Sequence, residues 1–362
     1  MKKKKFTYTD SGVDRNLRKK SKEPLKDILG PTYGFSRYGK IIQLPFGNIL
    51  PIGKERWLDI VIEGIGTKVL VAQLAKRYDT IGIDGVAMAV NDVIRSGAKI
   101  LAIADNIHAV KSDPALVKEW IKGIAVGAIE AECPVSSGEI GDVAEIIKGI
   151  REHEGFDIIV AAVGELRSKK EIIFGNNIKP GDAIIGLKSS GLHSNGISLA
   201  RKVLFKQWGG KFQPFDIPDG FDREIIFEAL EPTKIYVKPV LAVAKAYKIK
   251  AAVHITGDAY LKFRELMKFS RGIGFCFESF YPQPIFDLIQ KVAPEVKGTV
   301  ADAEMFKTFN MGWGFALICN REDVDGIIDV IDRYQIKAEE IGKITDSGEV
   351  VVKYKNKDII LI

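Results

Sequence analysis

The sequence is poor in cysteine. Its 362 residues include only Cys133, Cys276 and Cys319, an odd number without the spacing of metal ligands. This scarcity excludes a small disulfide-stapled domain. We expect three buried thiols in a protein of the reducing cytoplasm.

Long apolar runs are also missing. No stretch approaches the roughly 20 apolar residues of a membrane-spanning helix, and no apolar segment of a signal peptide follows the lysine-rich start. Hydrophobic residues make up 46% and charged residues 28% of the chain, which is typical of a globular protein. At this length we expect two domains and no association with a membrane.

The excess of positive over negative charge is small. The net charge of +6 reflects 53 basic and 47 acidic residues, and several of the lysines lie in the N-terminal tail. Such a tail is usually solvated, so we expect no nucleic-acid partner. An anionic small substrate agrees with the charge equally well.

The pattern of polar and apolar residues changes along the chain. Residues 1–56 are polar, and we expect an extension with a glycine-containing flap near residues 34–40. Alternating strand and helix patterns then predict one α/β domain over residues 57–170 and a second over residues 171–362. Strands are predicted near residues 58–62, 100–104, 156–163, 183–187, 313–319 and 349–354. Helices are predicted near residues 68–77, 83–98, 195–206, 234–247, 258–268, 284–292 and 322–334, with another starting at Asp113-Pro114.

A glycine-containing turn joins the first predicted strand to a helix in Glu63-Gly64-Ile65-Gly66-Thr67-Lys68. The glycines allow a close approach to an anion, and the helix start offers unpaired N–H groups. Lys68 adds a positive charge, and Glu63 could hold a divalent cation against a phosphate. A plain strand-to-helix turn would explain the same residues.

Acidic side chains recur in apolar surroundings. Asp84, Asn91 and Asp92 lie along one helix, and burying them without partners would be costly. Ligation of a divalent metal would explain these acids if they converge with others that follow predicted strands. For any one acid alone, a solvated end of an element is the favoured explanation, and only the five together favour a metal site. The acids concerned are Glu63, Asp84, Asp92, Asp105 and Glu139.

Two histidines differ in their surroundings. His193 lies in the polar segment Ser189–Gly196, so we expect its imidazole to be free to meet a ligand and unnecessary for folding. His254 lies between apolar residues, and a structural role remains equally open there.

Together these motifs resemble the phosphoribosylformylglycinamidine cyclo-ligase (aminoimidazole ribonucleotide synthetase) family of purine biosynthesis. The stretches that carry the resemblance are Tyr8–Asp14, Gly64–Lys68, Thr80–Asp84, Ala87-Met88, Asn91-Asp92, Ser189–Gly196, Pro232–Lys238, His254–Gly257 and Thr308–Gly312.

The resemblance implies a two-domain α/β (α+β) fold whose N-terminal strands form a barrel shared by a homodimer. It also implies ring closure of formylglycinamidine ribonucleotide to aminoimidazole ribonucleotide, with ATP and magnesium (Mg²⁺). The residues implied in catalysis are His193, Lys68 and His254. Those implied in ATP binding are Gly64, Gly66, Thr67, Lys68, Asp84, Asn91, Asp105 and Asn195, and those implied as metal ligands are Glu63, Asp92, Glu139 and Asp14.

The chain departs from the family pattern in three places. Glu63 replaces the usual aspartate, Asp258 interrupts a glycine run, and the loop over residues 136–142 lacks flanking Thr, Met and Pro. A related selenophosphate synthetase would need a reactive cysteine or equivalent near the N-terminal glycine loop, whereas the first cysteine is Cys133. A thiamine monophosphate kinase would explain the motifs of the second half less well. A non-catalytic nucleotide-binding subunit is the alternative from another class.

Overall fold

The computed structural model describes residues 4–362, apart from the side chain of Lys26, and its strands form two sheets. The first three residues of the lysine-rich start lie outside this range. The strands are β1 (Ile42–Leu44), β2 (Gly47–Gly53), β3 (Arg56–Gly64), β4 (Lys99–Ala109), β5 (Val135–Asp142), β6 (Phe156–Leu166), β7 (Ala183–Lys188), β8 (Ala251–His254), β9 (Gly274–Phe277), β10 (Trp313–Cys319), β11 (Ala338–Thr345), β12 (Val350–Tyr354) and β13 (Lys357–Ile360).

The α-helices are α1 (Arg15–Lys22), α2 (Leu25–Leu29), α3 (Lys68–Ala75), α4 (Ile81–Val93), α5 (Pro114–Glu130), α6 (Ile197–Leu204), α7 (Ile225–Leu230), α8 (Val237–Ala246), α9 (Pro284–Val296), α10 (Asp302–Thr308) and α11 (Val324–Asp332). A longer 3-10 helix spans Ala259–Lys268, and shorter ones span Gly30–Phe35, Ile94–Ser96, Lys169–Glu171, Lys206–Trp208 and Arg321–Asp323. Within residues 4–362, no helix combines the length and hydrophobicity needed to cross a bilayer.

The first sheet has the strand order β1-β2-β3-β6-β4-β5. β3 and β4 pair with the two edges of β6 in antiparallel fashion, and β5 pairs with β4 in parallel. β1 and β2 come from residues 42–53, a region that the sequence analysis assigned to the N-terminal extension. The first sheet therefore begins ahead of residue 57.

Helices α4 and α5 pack together on this sheet because glycines bring their backbones close. A Cβ atom on Gly82 would lie 2.3 Å from the backbone nitrogen of Ile124, and one on Gly123 would lie 2.8 Å from that of Gly82. Almost every residue of α4 is buried as a result. The polar residues of α4 are therefore inside the protein, where each needs a partner.

The second sheet has the strand order β13-β12-β9-β11-β7-β10-β8. Its neighbouring strands are antiparallel, except that β12 runs parallel to β9. β10 is apolar throughout, β7 is apolar up to Lys188 at its end, and both match the strands predicted there. The four-residue strands β8 and β9 were not predicted, because a short strand buried on both faces shows no alternation.

The N-terminal segment packs against the second half of the chain. The backbone nitrogen of Phe6 donates to the Thr299 carbonyl at 2.9 Å, and Arg15 Nη1 donates to Glu304 Oε1 at 2.8 Å. Helix α1 starts at this anchor and has no buried residue. It is therefore held at its first residue while the rest of its surface stays open to solvent or ligand.

Candidate active site

A cavity of about 730 Å³ lies between the N-terminal segment and the two halves of the chain. Its acidic side chains include Glu63 on β3 and Asp92 on α4. Helix α1 contributes the basic side chains Arg15, Arg18, Lys19 and Lys22. The 3-10 helix over residues 259–268 contributes Lys262, Arg264 and Lys268. This concentration of positive charge suits a ligand that carries phosphate groups.

Asp92 is held from two sides within this cavity wall. Its Oδ1 atom lies 2.8 Å from His254 Nδ1, and its Oδ2 atom lies 2.8 Å from Arg95 Nη2. Since an ionised carboxylate only accepts hydrogen bonds, His254 Nδ1 is the donor. Burial pushes the pKa of Asp92 upward, but Arg95 and the His254 hydrogen bond outweigh it and hold the pKa below its usual value.

Glu63 and Lys262 border the same carboxylate. Burial and the negative charge of Asp92 raise the pKa of Glu63 to about 7. Burial lowers the pKa of Lys262 to about 8, against the attraction of Asp92 and Glu63. Lys262 Nζ donates to the His254 carbonyl at 3.0 Å and also contacts Thr256 Oγ1, so the ammonium group is fixed beside the acids.

Lys68 does not face the cavity. Its side chain is fully buried, and Nζ donates to Asp84 Oδ1 at 2.9 Å and to the Glu231 carbonyl at 2.6 Å. The same Asp84 oxygen accepts from the Thr233 backbone nitrogen at 2.8 Å and from Ser194 Oγ at 3.1 Å. Asp84 and Lys68 therefore join the two halves of the chain, and direct contacts of either residue with ATP stay a prediction.

The two predicted asparagines have different positions. Asn91 is buried, with Oδ1 accepting from the Tyr236 backbone nitrogen and Nδ2 donating to the Lys234 carbonyl, both at 2.8 Å. It acts as a structural link between the two halves of the chain. Asn195 lines the cavity, and its Nδ2 atom lies 3.8 Å from Met88 Sδ. Asn195 is therefore placed to meet a ligand.

The expectation that the His193 imidazole lies free in a polar turn is wrong. The residue is only 1% exposed, because the segment around Tyr236 covers it. Nε2 lies 3.3 Å from the Ser190 backbone nitrogen and 3.5 Å from that of Lys234 and accepts from both. Burial lowers the pKa of His193 well below its usual value. His193 therefore contributes to the structure where the backbone at Ser190 meets the backbone at Lys234.

The predicted glycine turn has the expected shape. Gly66 has a φ of +74°, a conformation that favours glycine, and α3 begins two residues later at Lys68. Gly64 ends β3, and Thr67 Oγ1 lies 2.9 Å from Ser198 Oγ. The contact of Thr67 with Ser198 brings the turn against the second half of the chain. Phosphate binding by these backbone groups stays a prediction.

The acids on the first sheet do not converge on one point. Glu63 and Asp105 pair with Val160 from its two sides, so the whole of β6 separates them. Glu139 pairs with Asn106, the neighbour of Asp105. Because side chains alternate along a strand, Glu139 points to the opposite face from Asp105.

The remaining predicted ligand, Asp14, caps α1. Its Oδ1 atom accepts from the backbone nitrogens of Asn16 and Leu17 at 2.9 and 3.0 Å. Among the residues that the structure describes, no three His, Cys, Asp or Glu side chains are grouped as metal ligands. The donor set does not fit a divalent ion held by protein side chains alone.

Sequence reasoning missed the cations beside Asp92. Arg95 is the sole basic residue in the stretch 81–98 and comes three positions after Asp92, which is the spacing of neighbours on a helix. That spacing could have predicted the ion pair. Lys262 comes from a distant part of the chain, and no local pattern indicates its place.

Two family models match most of the chain. Residues 47–166 match "AIR synthase related protein, N-terminal domain", and residues 179–355 match the C-terminal domain of the same name. These matches, together with the mixed α/β fold, define the protein as a member of the AIR synthase related class.

Full-length relatives narrow this class. A phosphoribosylformylglycinamidine cyclo-ligase of Methanocaldococcus jannaschii is 36% identical, covering 98% of this chain and 99% of the relative. One of Myxococcus xanthus is 38% identical, covering 93% and 95%. The chain belongs to the phosphoribosylformylglycinamidine cyclo-ligase family.

Solved structures share the fold at low identity. Thermotoga maritima PurL complexed with ATP has a TM-score of 0.57 and 15% identity, covering 86% of this chain and 44% of the PurL chain. The chain thus spans less than half of that protein. A structure of the HypE-HypF complex has a TM-score of 0.57 and 14% identity, covering 94% and 99%. At these identities the likeness shows the fold alone.

Proposed function

We propose that the chain catalyses the ATP-dependent ring closure of formylglycinamidine ribonucleotide to aminoimidazole ribonucleotide in de novo purine biosynthesis, with release of ADP and phosphate. The observation that carries this function is the 36–38% identity to proteins of this name over nearly the whole chain. The enzyme is a ligase that forms a C–N bond. The three buried, unpaired cysteines support a cytoplasmic location.

The chemistry requires activation of an amide oxygen, which is otherwise a poor leaving group. The γ-phosphoryl group of ATP moves to the formyl oxygen, and ADP leaves. The amidine nitrogen then attacks the iminophosphate carbon and closes the ring. Phosphate departs with the former formyl oxygen, and the attacking nitrogen loses a proton. Positioning and charge neutralisation are the main tasks of the protein in such a transfer.

The basic walls of the cavity support this role. Both substrates carry phosphate, and Arg18, Lys19 and Lys22 of α1 face the space in which they would lie. Because α1 is anchored at Arg15 and otherwise unburied, its lysines adjust to a ligand at little cost in packing. Asn195 and Arg95 offer further hydrogen-bond donors from the cavity wall.

Magnesium enters this proposal with the nucleotide, as the MgATP complex. Mg²⁺ dehydrates reluctantly and commonly binds substrate phosphates, a few carboxylates and water. PurL of Thermotoga maritima has been solved with ATP and with FGAR, and both serve here as guides to the class of ligand. Direct ligation by Asp105 or Glu139 stays a prediction.

A homodimer is part of the proposal. On β3, Asp59 is buried on the helix-covered side, whereas Ile60 and Ile62 are 53% and 66% exposed on the other face. Val163 and Ala161 of β6 pair with these isoleucines and are also partly exposed. An open apolar sheet face of this kind marks a site of association. A second copy of the chain, related by a two-fold axis, would cover it and form the shared barrel.

The test is an assay of the purified chain with MgATP and formylglycinamidine ribonucleotide. We expect ADP, phosphate and the aromatic amine product in equal amounts, with each dependent on the ribonucleotide. Product formation only with selenide or with thiamine monophosphate would replace this function by one of the related activities. Nucleotide binding without turnover of any of the three substrates would indicate a binding subunit.

A further inference from the structure

We infer that two cations of the chain itself, Arg95 and Lys262, neutralise the acid pair Glu63 and Asp92, which therefore holds no divalent ion of its own. This inference goes beyond the proposed ring closure and does not depend on it. It concerns how the protein stabilises acids on the wall of its cavity.

The geometry around Asp92 carries the inference. His254 Nδ1 and Arg95 Nη2 lie 2.8 Å from its two oxygens, one on each. The side chains of Asp92, Arg95 and His254 are 7%, 10% and 0% exposed. Each oxygen keeps a further lone pair, but a metal ion bound there would lie close to the Arg95 guanidinium, whose positive charge repels it.

The two nearest cations match the acid pair in charge. Glu63 and Asp92 bring two negative charges when ionised, and Arg95 and Lys262 bring two positive charges. Lys262 is fixed by its bond to the His254 carbonyl, and His254 donates to Asp92 as a neutral ring. Asp59 is a further buried acid near Arg95, and burial raises its pKa to about 6. At pH 7 Asp59 adds a third negative charge, but a doubly charged ion in this poorly hydrated group would still meet the repulsion of Arg95 and Lys262.

The arrangement also determines what the wall presents to a ligand. Arg95 and Lys262 line the cavity together with the acids that they neutralise. Their remaining N–H groups suit oxygen atoms of an anion, whereas a divalent ion would meet an already compensated acid pair. A metal ion would then reach this cavity on the phosphates of its nucleotide.

The experiment is a titration of nucleotide-free protein with Mn²⁺, in which the electron paramagnetic resonance signal reports free Mn²⁺. We expect the unchanged protein to show no stoichiometric site at submillimolar Mn²⁺. Lys262→Met removes one positive charge at nearly constant volume and should tighten Mn²⁺ binding on the order of tenfold or more. The double variant Lys262→Met/Asp92→Asn should lack the Mn²⁺ site that Lys262→Met gains.

Lys268→Met is the matched control. It removes the same charge from the same 3-10 helix, but Lys268 pairs with Glu265 instead of bordering Asp92. It should leave Mn²⁺ binding unchanged. A stoichiometric Mn²⁺ site in the unchanged protein that a folded Asp92→Asn protein lacks would overturn the inference. Circular dichroism checks that the Lys262→Met protein is folded. A folded Lys262→Met protein that gains no Mn²⁺ site would also overturn the inference.

Discussion

His254 Nδ1 lies 2.8 Å from Asp92 Oδ1, although 162 positions separate the two residues in the chain. The contact ties β8 of the second sheet to α4 on the first. Burial lowers the pKa of His254 to about 4, although Asp92 opposes the shift. The imidazole is therefore neutral in the folded protein near pH 7 and serves as a hydrogen-bond donor.

This pKa predicts that stability falls on acidification. A histidine in the unfolded chain takes up a proton near pH 6.5, whereas folded His254 does so only near pH 4. The contribution is fully present above about pH 6.5 and is lost progressively towards pH 4, by about 3 kcal/mol in all. Urea unfolding at several pH values in this range measures the free energy of unfolding.

His254→Asn is the control for the pH dependence, since the amide donates to Asp92 without titrating. The raised pKa of Glu63 acts in the opposite direction and adds stability as the pH falls from 7 to 4.5. The difference between the two proteins therefore isolates the histidine. Equal slopes of stability against pH would contradict the prediction.

Lys68→Met should destabilise the protein by roughly 3–5 kcal/mol, because it leaves the Asp84 carboxylate buried without a counter-charge. Urea unfolding at pH 7 measures the loss. Adding Asp84→Asn should recover part of it, since a neutral amide needs no counter-charge. Lys76→Met, on an exposed residue just after α3, should have little effect. A Lys68→Met protein as stable as the parent would refute the structural role.

His193→Ala should lower the free energy of unfolding by about 1–3 kcal/mol, because two backbone N–H groups lose their buried acceptor. His193→Asn keeps an acceptor and suits the φ of +61°, so it should be milder. Turnover per folded molecule, measured on the same preparations, tests the catalytic prediction separately. An unchanged unfolding curve for His193→Ala would contradict the burial argument.

Lys19→Glu should raise the KM for an anionic substrate by about 5–30-fold, with a smaller effect on kcat, because Lys19 lines the cavity. Steady-state kinetics at low ionic strength give both constants, and added salt should narrow the difference. Lys20→Glu makes the same charge change on the same helix at a residue that does not line the cavity. Equal effects of the two variants would argue against a ligand-facing side of α1.

Ile62→Lys should shift the protein from dimer to monomer in sedimentation velocity at micromolar concentration, because it places a charge on the open face of the first sheet. Ile146→Lys is the control, since Ile146 is 79% exposed outside the strands. A parent protein that already sediments as a monomer would refute the shared barrel but not the ring-closing activity.

Local patterns in the sequence predicted much of the fold. Period and composition located β3, β7, β10 and α4, and Asp113 caps α5 as its position before Pro114 indicates. Gly66 has the positive φ that the predicted turn needs. These features depend on residues a few positions apart, so the chain carries them without reference to tertiary contacts. The polar motifs likewise carried the resemblance to the family.

Only the tertiary structure decided which polar groups face a ligand. The residues around His193 and Lys68 in the sequence predicted accessible side chains, yet the segment 231–236 covers both. Lys262 gained its place only when distant elements met around Asp92. A local pattern specifies which side chains are polar, but the burial and charge of their surroundings come from residues more than a hundred positions away. Those surroundings determine whether a lysine binds phosphate or neutralises a buried acid.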